Sequence, residues 1–282
     1  TYTSGTTGTP KGVCLTPAAI EAVALSLLER VGADAVERHT SVLPLATLLE
    51  NIGGLYVPLL AGGCITLLPQ AHVGMRGASG VDALRLAQTL AATEATSAIL
   101  IPQMLHELVA QALPLPAARF LAVGGAPVSR ETLVRARALG LPVYEGYGLS
   151  ECASVVAVNG PGQERLGSVG RPLAHAGIRF AEDGEIVVTG SVCAGYLHDA
   201  GVTANGDWAT GDIGYQDADG FLYITGRKRH MFITAFGRNV APEWVERELT
   251  LEPAIAQAIV YGEGRAQNVA VLVPRVANGV AA

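Results

Sequence analysis

Two rhythms of apolar and polar positions divide the chain. Between residues 13 and 150, short continuous apolar runs alternate with amphipathic stretches of helical period. Thr16-Pro17 sets an N-cap followed by proline at the first helical position, so residues 18–31 read as a helix. Residues 64–68 form a short apolar strand, 82–92 an amphipathic helix, and 97–101 a buried strand closed by Pro102. Residues 104–112 read as a helix and 120–123 as a strand. Ser129 caps a helix that runs through Leu139, with Gly140 placed as its stop. Strands alternating with helices predict an α/β fold, with a mostly parallel sheet covered on both faces. Ligands in such sheets gather at the carboxyl ends of the strands.

From about residue 167 the rhythm shortens. Residues 178–189 hold two short runs around Glu182-Asp183-Gly184, and residues 213–225 do the same around Asp219-Gly220. Asp-Gly between alternating apolar runs is a hairpin signal. After Arg227 the pattern changes again: Pro242 opens a helix over 243–249, and residues 258–273 read as one more hairpin. The expected organisation is therefore an α/β unit over 1–166, a small antiparallel, barrel-like unit over 167–226, and the start of an α+β unit over 227–282. Asp217-Ala218-Asp219-Gly220 has the outline of a calcium loop. Tyr215 stands where the first carboxylate belongs, however, so the stretch reads as a turn.

Composition narrows the function classes. The 282 residues are 50% hydrophobic and only 16% charged, too apolar for a disordered chain. The net charge of −6 argues against a partner such as duplex nucleic acid, which calls for clustered Lys and Arg. Thirty-four glycines point to turns and backbone-lined sites rather than a helical bundle. The apolar stretch 52–68 is broken by Gly53, Gly54, Pro58, Gly62 and Gly63, so no transmembrane segment is expected, while peripheral membrane contact stays open. Cys14, Cys64, Cys152 and Cys193 are widely spaced and form no CxxC pair, which suggests reduced thiols and a cytoplasmic setting. No secretory leader is visible. The chain begins at Thr1 rather than Met, which suggests a piece of a longer protein.

The strongest candidate for chemistry is the opening stretch Tyr2-Thr3-Ser4-Gly5-Thr6-Thr7-Gly8-Thr9-Pro10-Lys11-Gly12. Glycines let backbone N–H groups approach an anion, hydroxyls add donors, and Lys11 adds a movable positive charge. These are the properties of a polyphosphate cradle. The stretch is neither a Walker A loop nor a dinucleotide fingerprint. A flexible Ser/Thr/Gly linker is the plain alternative. Further on, Tyr147 offers a flat ring between two glycines, Ser150 a hydroxyl, and Glu151 a hard oxygen of the kind Mg²⁺ prefers. Asp212 offers an acceptor after a turn glycine.

Residues 3–12 resemble the phosphate loop of the AMP-binding, adenylate-forming superfamily, which includes acyl-CoA synthetases, luciferases and peptide-synthetase adenylation domains. Four more resemblances follow in the family's order: Gly124-Gly125-Ala126-Pro127; Glu145-Gly146-Tyr147-Gly148-Leu149-Ser150-Glu151; Trp208-Ala209-Thr210-Gly211-Asp212; and Gly226-Arg227-Lys228-Arg229 with Gly237-Arg238-Asn239-Val240-Ala241-Pro242-Glu243. Five in register along one chain are specific where one alone is weak.

The resemblance implies a set of roles. Thr3, Ser4, Gly5, Thr6, Thr7, Gly8 and Lys11 would hold phosphates. Tyr147 would stack on adenine, with Gly125 and Ala126 lining the other side and Gly148 beside it. Ser150 would reach the α-phosphate or the acyl carboxylate, and Glu151 would hold Mg²⁺. Asp212 and Arg227 would meet the ribose, and Arg229 stands at the interdomain hinge. Lys11, Ser150 and Glu151 would form the catalytic set.

Thr47 occupies the place of a histidine usual near the acyl carboxylate and, with Gly148, would line the substrate pocket. No aspartate stands between residues 43 and 49, which disfavours a free α-amino acid. Residues 146–149 and Glu50 look most like long-chain fatty-acyl members, and Gly53, Gly54 and Ala61 are expected to wall an alkyl chain.

The implied reaction is ATP-dependent formation of an acyl-adenylate, followed by transfer to the thiol of CoA. The implied ligands are ATP, Mg²⁺, a carboxylic acid and CoA. The family's N-terminal portion and most of its C-terminal lid, including a lid lysine expected beyond residue 282, are absent from the sequence. Transfer to a carrier protein, a non-catalytic module that binds nucleotide or acyl-adenylate, and a plain α/β interaction domain remain the alternatives.

Overall fold

In a computed structural model, residues 1–3, 10–76, 80–198, 206–250, 252 and 254–274 are described. Its centre is a seven-stranded sheet in the order Arg171–Pro172, Ala157–Val158, Val143–Tyr147, Phe120–Val123, Ser97–Leu100, Arg38–Thr40 and Cys64–Thr66. The last five pair in parallel and the first two add antiparallel edges. Every residue of Ser97–Leu100 is buried, as a strand covered on both faces requires.

Local sequence sets the flanking helices. Pro17–Val31 begins where Thr16 Oγ1 accepts the Ala19 N–H at 3.1 Å, and it ends at Gly32, whose φ of 84° only glycine adopts cheaply. Arg30 near its end donates to the carbonyls of Val158, Arg171 and Pro172, fastening the helix to the sheet edge. Asp82 caps Ala83–Ala92, which buries Ala83, Leu86, Ala87 and Leu90. Ser129 caps Arg130–Ala138, and Gly140 follows at φ 74°. Pro102 both closes the strand before it and opens the helix Pro102–Ala110, two residues earlier than the periodicity suggests, because its fixed φ suits the first helical turn.

Both Asp-Gly hairpins form. Ala176–Phe180, Glu185–Gly190, Asp207–Gln216 and Leu222–Arg227 make one antiparallel four-stranded sheet in chain order. The 217–220 stretch is a turn: Asp217 accepts the N–H groups of Asp219 and Phe221, and Arg165 bridges Asp217 and Asp219. Pro242–Leu249 is a helix, and Ile255–Tyr261 pairs with Val269–Pro274.

Three features depart from the pattern reading. Arg38–Thr40 is a strand although it reads as polar, because His39 and Thr40 are buried. The glycine-broken stretch opens as a π-helical segment, Glu50–Tyr56, continued by the helix Val57–Leu60. Lys11–Cys14 lies between Tyr2–Thr3 and Gly195–Tyr196 in a three-stranded antiparallel sheet, a pairing that spans some 180 residues of chain. The four cysteines are free thiols. No helix among the described residues is long and apolar enough to cross a membrane.

Candidate active site

The carboxyl ends of Phe120–Val123 and Val143–Tyr147 surround the mouth of a cavity of about 230 Å³. Gly124, Gly125, Tyr147, Gly148 and Ser150 line that mouth, with Thr47 exposed at its rim. Gly125 adopts a φ of 83°, which lets its backbone bend over the opening. Ala126, next in the chain, is exposed and lies outside the lining.

The turn after Tyr147 folds back on itself. The Cys152 and Ser154 N–H groups both donate to the Leu149 carbonyl, and Val156 N–H returns to the Tyr147 carbonyl at 2.8 Å. A Cβ on Gly148 would lie 1.6 Å from the Ser154 oxygen, so only glycine fits. This tight reversal places Ser150 at the cavity and Glu151 beside it. Glu151 Oε1 accepts the Tyr196 hydroxyl at 2.9 Å, and its carbonyl accepts the Cys193 N–H at 2.6 Å. The Lys11 ammonium sits 4.9 Å from the centre of the same Tyr196 ring. Burial, then the Glu151 bond, raises the Tyr196 pKa and keeps the phenol a donor. Lys11, Tyr196 and Glu151 thus form one contiguous group.

The Tyr147 hydroxyl donates to Asp212 Oδ2 at 2.6 Å, and Arg227 Nε meets Asp212 Oδ1 at 2.7 Å. Asp212 and Arg227 face each other across neighbouring strands, so the sheet register itself sets this pair. Asp212 is 2% exposed. Burial pushes its carboxyl upward, against the opposing pull of Tyr147 and Arg227. Burial and the Asp212 charge hold the Tyr147 phenol protonated. A carboxylate has about four lone-pair sites, so Asp212 keeps room for further donors beyond these two.

Thr3 pairs with Lys11, so the two limbs flanking residues 4–9 lie side by side. Ser4, Gly5, Thr6, Thr7 and Gly8 fall outside the described residues. Arg229 is exposed in the short turn Lys228–His230, its Nε 2.9 Å from His230 Nε2. Lys228 beside it is held by Asp183 and Glu185. Of the small residues expected to wall an alkyl chain, Gly53 lines the cavity, whereas Gly54 and Ala61 do not. Gly54 instead gives way to Glu50 and His39, whose side-chain atoms would lie 2.4 and 2.6 Å from a Cβ there. The sequence reading missed Tyr196, His39 and Ser97. Tyr196 reaches the site only through a long-range strand pairing that no local pattern announces.

The donor set suits a nucleotide and a hard cation. Among the described residues the Glu151 carboxylate accepts one phenol and retains lone pairs, as a one-carboxylate Mg²⁺ site completed by phosphate oxygens requires.

Comparison with known proteins fits this geometry. Residues 1–202 match the AMP-binding enzyme family. Long-chain-fatty-acid–CoA ligase FadD15 of Mycobacterium bovis is 42% identical over 147 residues, which is 50% of this chain and 24% of the relative. The 2-succinylbenzoate–CoA ligase of Bacillus velezensis is 33% identical over 93% of this chain and 55% of its own length. The o-succinylbenzoate coenzyme A synthetase (MenE) of Bacillus subtilis, solved with ATP and magnesium ion, superposes with a TM-score of 0.81 at 30% identity, over 95% of this chain and 58% of that one. The matched stretches thus cover a quarter to somewhat over half the length of these relatives. With its family matched over residues 1–202 and its sheets arranged as in that synthetase, the chain belongs to the AMP-binding enzyme family.

Proposed function

We propose that this chain carries the nucleotide- and acyl-binding half of an acid–CoA ligase, which activates a carboxylic acid with ATP and passes the acyl group to CoA. One observation supports this above the rest. Two contact lines, Lys11–Tyr196–Glu151 and Tyr147–Asp212–Arg227, meet a single apolar cavity through Tyr147 and through Ser150, the chain neighbour of Glu151, both of which line it.

In this reading the Tyr147 ring is the platform for adenine, facing Gly125 and Ala126. Asp212, with Arg227, accepts the ribose hydroxyls. The residues from Thr3 to Lys11 surround the phosphates, Ser150 orients the α-phosphate or the acyl carboxylate, and Glu151 holds Mg²⁺. Thr47 and Gly148 border the acyl group, and Arg229 marks the pivot of the following segment. The substrate carboxylate attacks the α-phosphorus and pyrophosphate leaves. Both reactants are anionic, so Lys11 and backbone N–H groups must offset charge that grows in the transition state. Magnesium, when bound, supplies the divalent charge that does most of this work. The CoA thiol then attacks the acyl carbon and AMP departs. The protonated Tyr147 phenol keeps Asp212 from turning away from the ribose.

The experiment is ATP–pyrophosphate exchange by the complete protein that contains this chain, across a panel of carboxylic acids. Exchange that depends on the acid and falls in Glu151→Gln supports the reading. AMP binding without any acid-dependent exchange favours a non-catalytic nucleotide-binding module instead.

A further inference from the structure

The far end of the cavity carries polar chemistry that the proposed reaction does not use. Ser97 lies beside Phe120 and Leu100 beside Val123, so the cavity runs back about 10 Å along the strands from its mouth. At this inner end Val31, Val36, Val57 and Phe120 present apolar walls. Two polar side chains, His39 and Ser97, interrupt them, each 2% exposed.

They belong to a buried chain. His39 Nδ1 lies 2.9 Å from Ser97 Oγ, and His39 Nε2 lies 3.0 Å from Glu50 Oε1. Glu50 is fully buried behind His39, and its second oxygen accepts the Leu43 N–H at 3.3 Å. A buried carboxylate and imidazole are costly in an apolar region unless their hydrogen-bonding capacity is used. Both ring nitrogens of His39 are taken by Ser97 and Glu50. What remains for a ligand is Ser97. If His39 donates to Ser97, the serine hydroxyl is free to donate into the cavity. If Ser97 donates to His39, its lone pairs are free to accept. A hydroxyl on the ligand meets either arrangement, since it both donates and accepts. The volume argues for a compact body, because about 230 Å³ lies between the ~150 Å³ that takes a single benzene ring and the ~300–1,000 Å³ of ordinary ligand pockets.

We propose that Ser97, oriented by His39 and Glu50, is a specificity-determining residue that selects a compact acid bearing a hydroxyl at the end remote from its carboxylate. The inference rests on the acid-activating reading above.

The test titrates the chain calorimetrically with AMP and with non-hydrolysable sulfamoyl-adenosines carrying a phenylpropanoyl, a para-hydroxyphenylpropanoyl or a dodecanoyl group. The hydroxylated analogue is expected to bind about tenfold more tightly than its phenyl twin, the value of one well-made hydrogen bond. In Ser97→Ala that ratio should fall to near one, and in His39→Gln it should shrink. The comparison of the twins in the unaltered chain stands even if a variant does not fold. AMP binding with no preference between the twins, or tightest binding of the dodecanoyl analogue, overturns this inference alone. Failure of AMP itself to bind overturns the acid-activating reading and this inference with it.

Discussion

The Tyr147 hydroxyl donates a 2.6 Å hydrogen bond to Asp212, a residue 65 positions further along the chain. The bond joins the end of a central parallel strand to the antiparallel four-stranded sheet. It fixes the aromatic face and the carboxylate proposed to hold the nucleoside relative to each other before any ligand arrives. Tyr147→Phe should therefore destabilise the fold by about 1.5–3 kcal/mol, the range for a hydrogen bond to a charged group. It should weaken AMP binding less than Tyr147→Ala, because the ring stays. Denaturant melts and calorimetric titration of the two variants measure both effects.

The raised pKa of Asp212 gives a pH signature whose sign is opposite to that of most carboxylates. The folded state holds the proton more tightly than the unfolded chain, so below the ordinary carboxylate value near 3.9 the group contributes its full share of stability. That share is lost as pH rises through the raised value. The stability of the native chain minus that of Asp212→Asn should thus fall from about pH 4 upward. A difference that grows over the same window would mean that Arg227 and Tyr147 outweigh burial.

Gly148 leaves no room for a side chain, with the Ser154 oxygen 1.6 Å from its would-be Cβ. Gly148→Ala must open the turn that carries Ser150 and Glu151. We expect a loss at or above the ~1–3 kcal/mol of ordinary overpacking and a collapse of adenylation. Gly125→Ala, which meets nothing within 4 Å but needs φ 83°, should cost only about 1 kcal/mol or slightly more. Thermal melts of the pair separate steric from conformational cost.

The His39–Glu50 pair is buried at 2% and 0% exposure. Glu50→Ala strands His39 Nε2 in the core and should cost about 3–5 kcal/mol. Replacing both residues by leucine should recover only part of that loss, since Ser97 Oγ and the Leu43 N–H then lose the partners that His39 and Glu50 gave them. Denaturation midpoints of the single and double variants decide the matter.

Helices and hairpins were legible wherever their signals are local. Thr16-Pro17, Ser129 with Gly140, and the two Asp-Gly turns each carry their own stop or start chemistry, and each element formed within a few residues of its expected bounds. What escaped was long-range. Arg38–Thr40 reads as polar, yet the buried His39 and Thr40 side chains bond to Ser97 on the neighbouring strand and to Thr93 at the end of the helix Ala83–Ala92. Tyr196 enters the site through pairing with Val13, and nothing in the residues around it announces that partner. Gly54 reads as a wall for an alkyl chain, yet it is small to admit Glu50 and His39. In the candidate site, the proximity of Tyr147 to Asp212 and of Lys11 to Glu151 was anticipated from motif order. The polar inner end of the cavity was not, because His39, Glu50 and Ser97 share no spacing that marks them as a group.

The central claim is that these residues form one nucleotide site, and the most direct test is a calorimetric titration of AMP into the native chain and into Asp212→Ala. The account predicts saturable binding to the native chain, weakened tenfold or more in the variant, a change of about 1.4 kcal/mol or greater. Heats without saturation in the native chain, or equal affinity in both proteins, would contradict it.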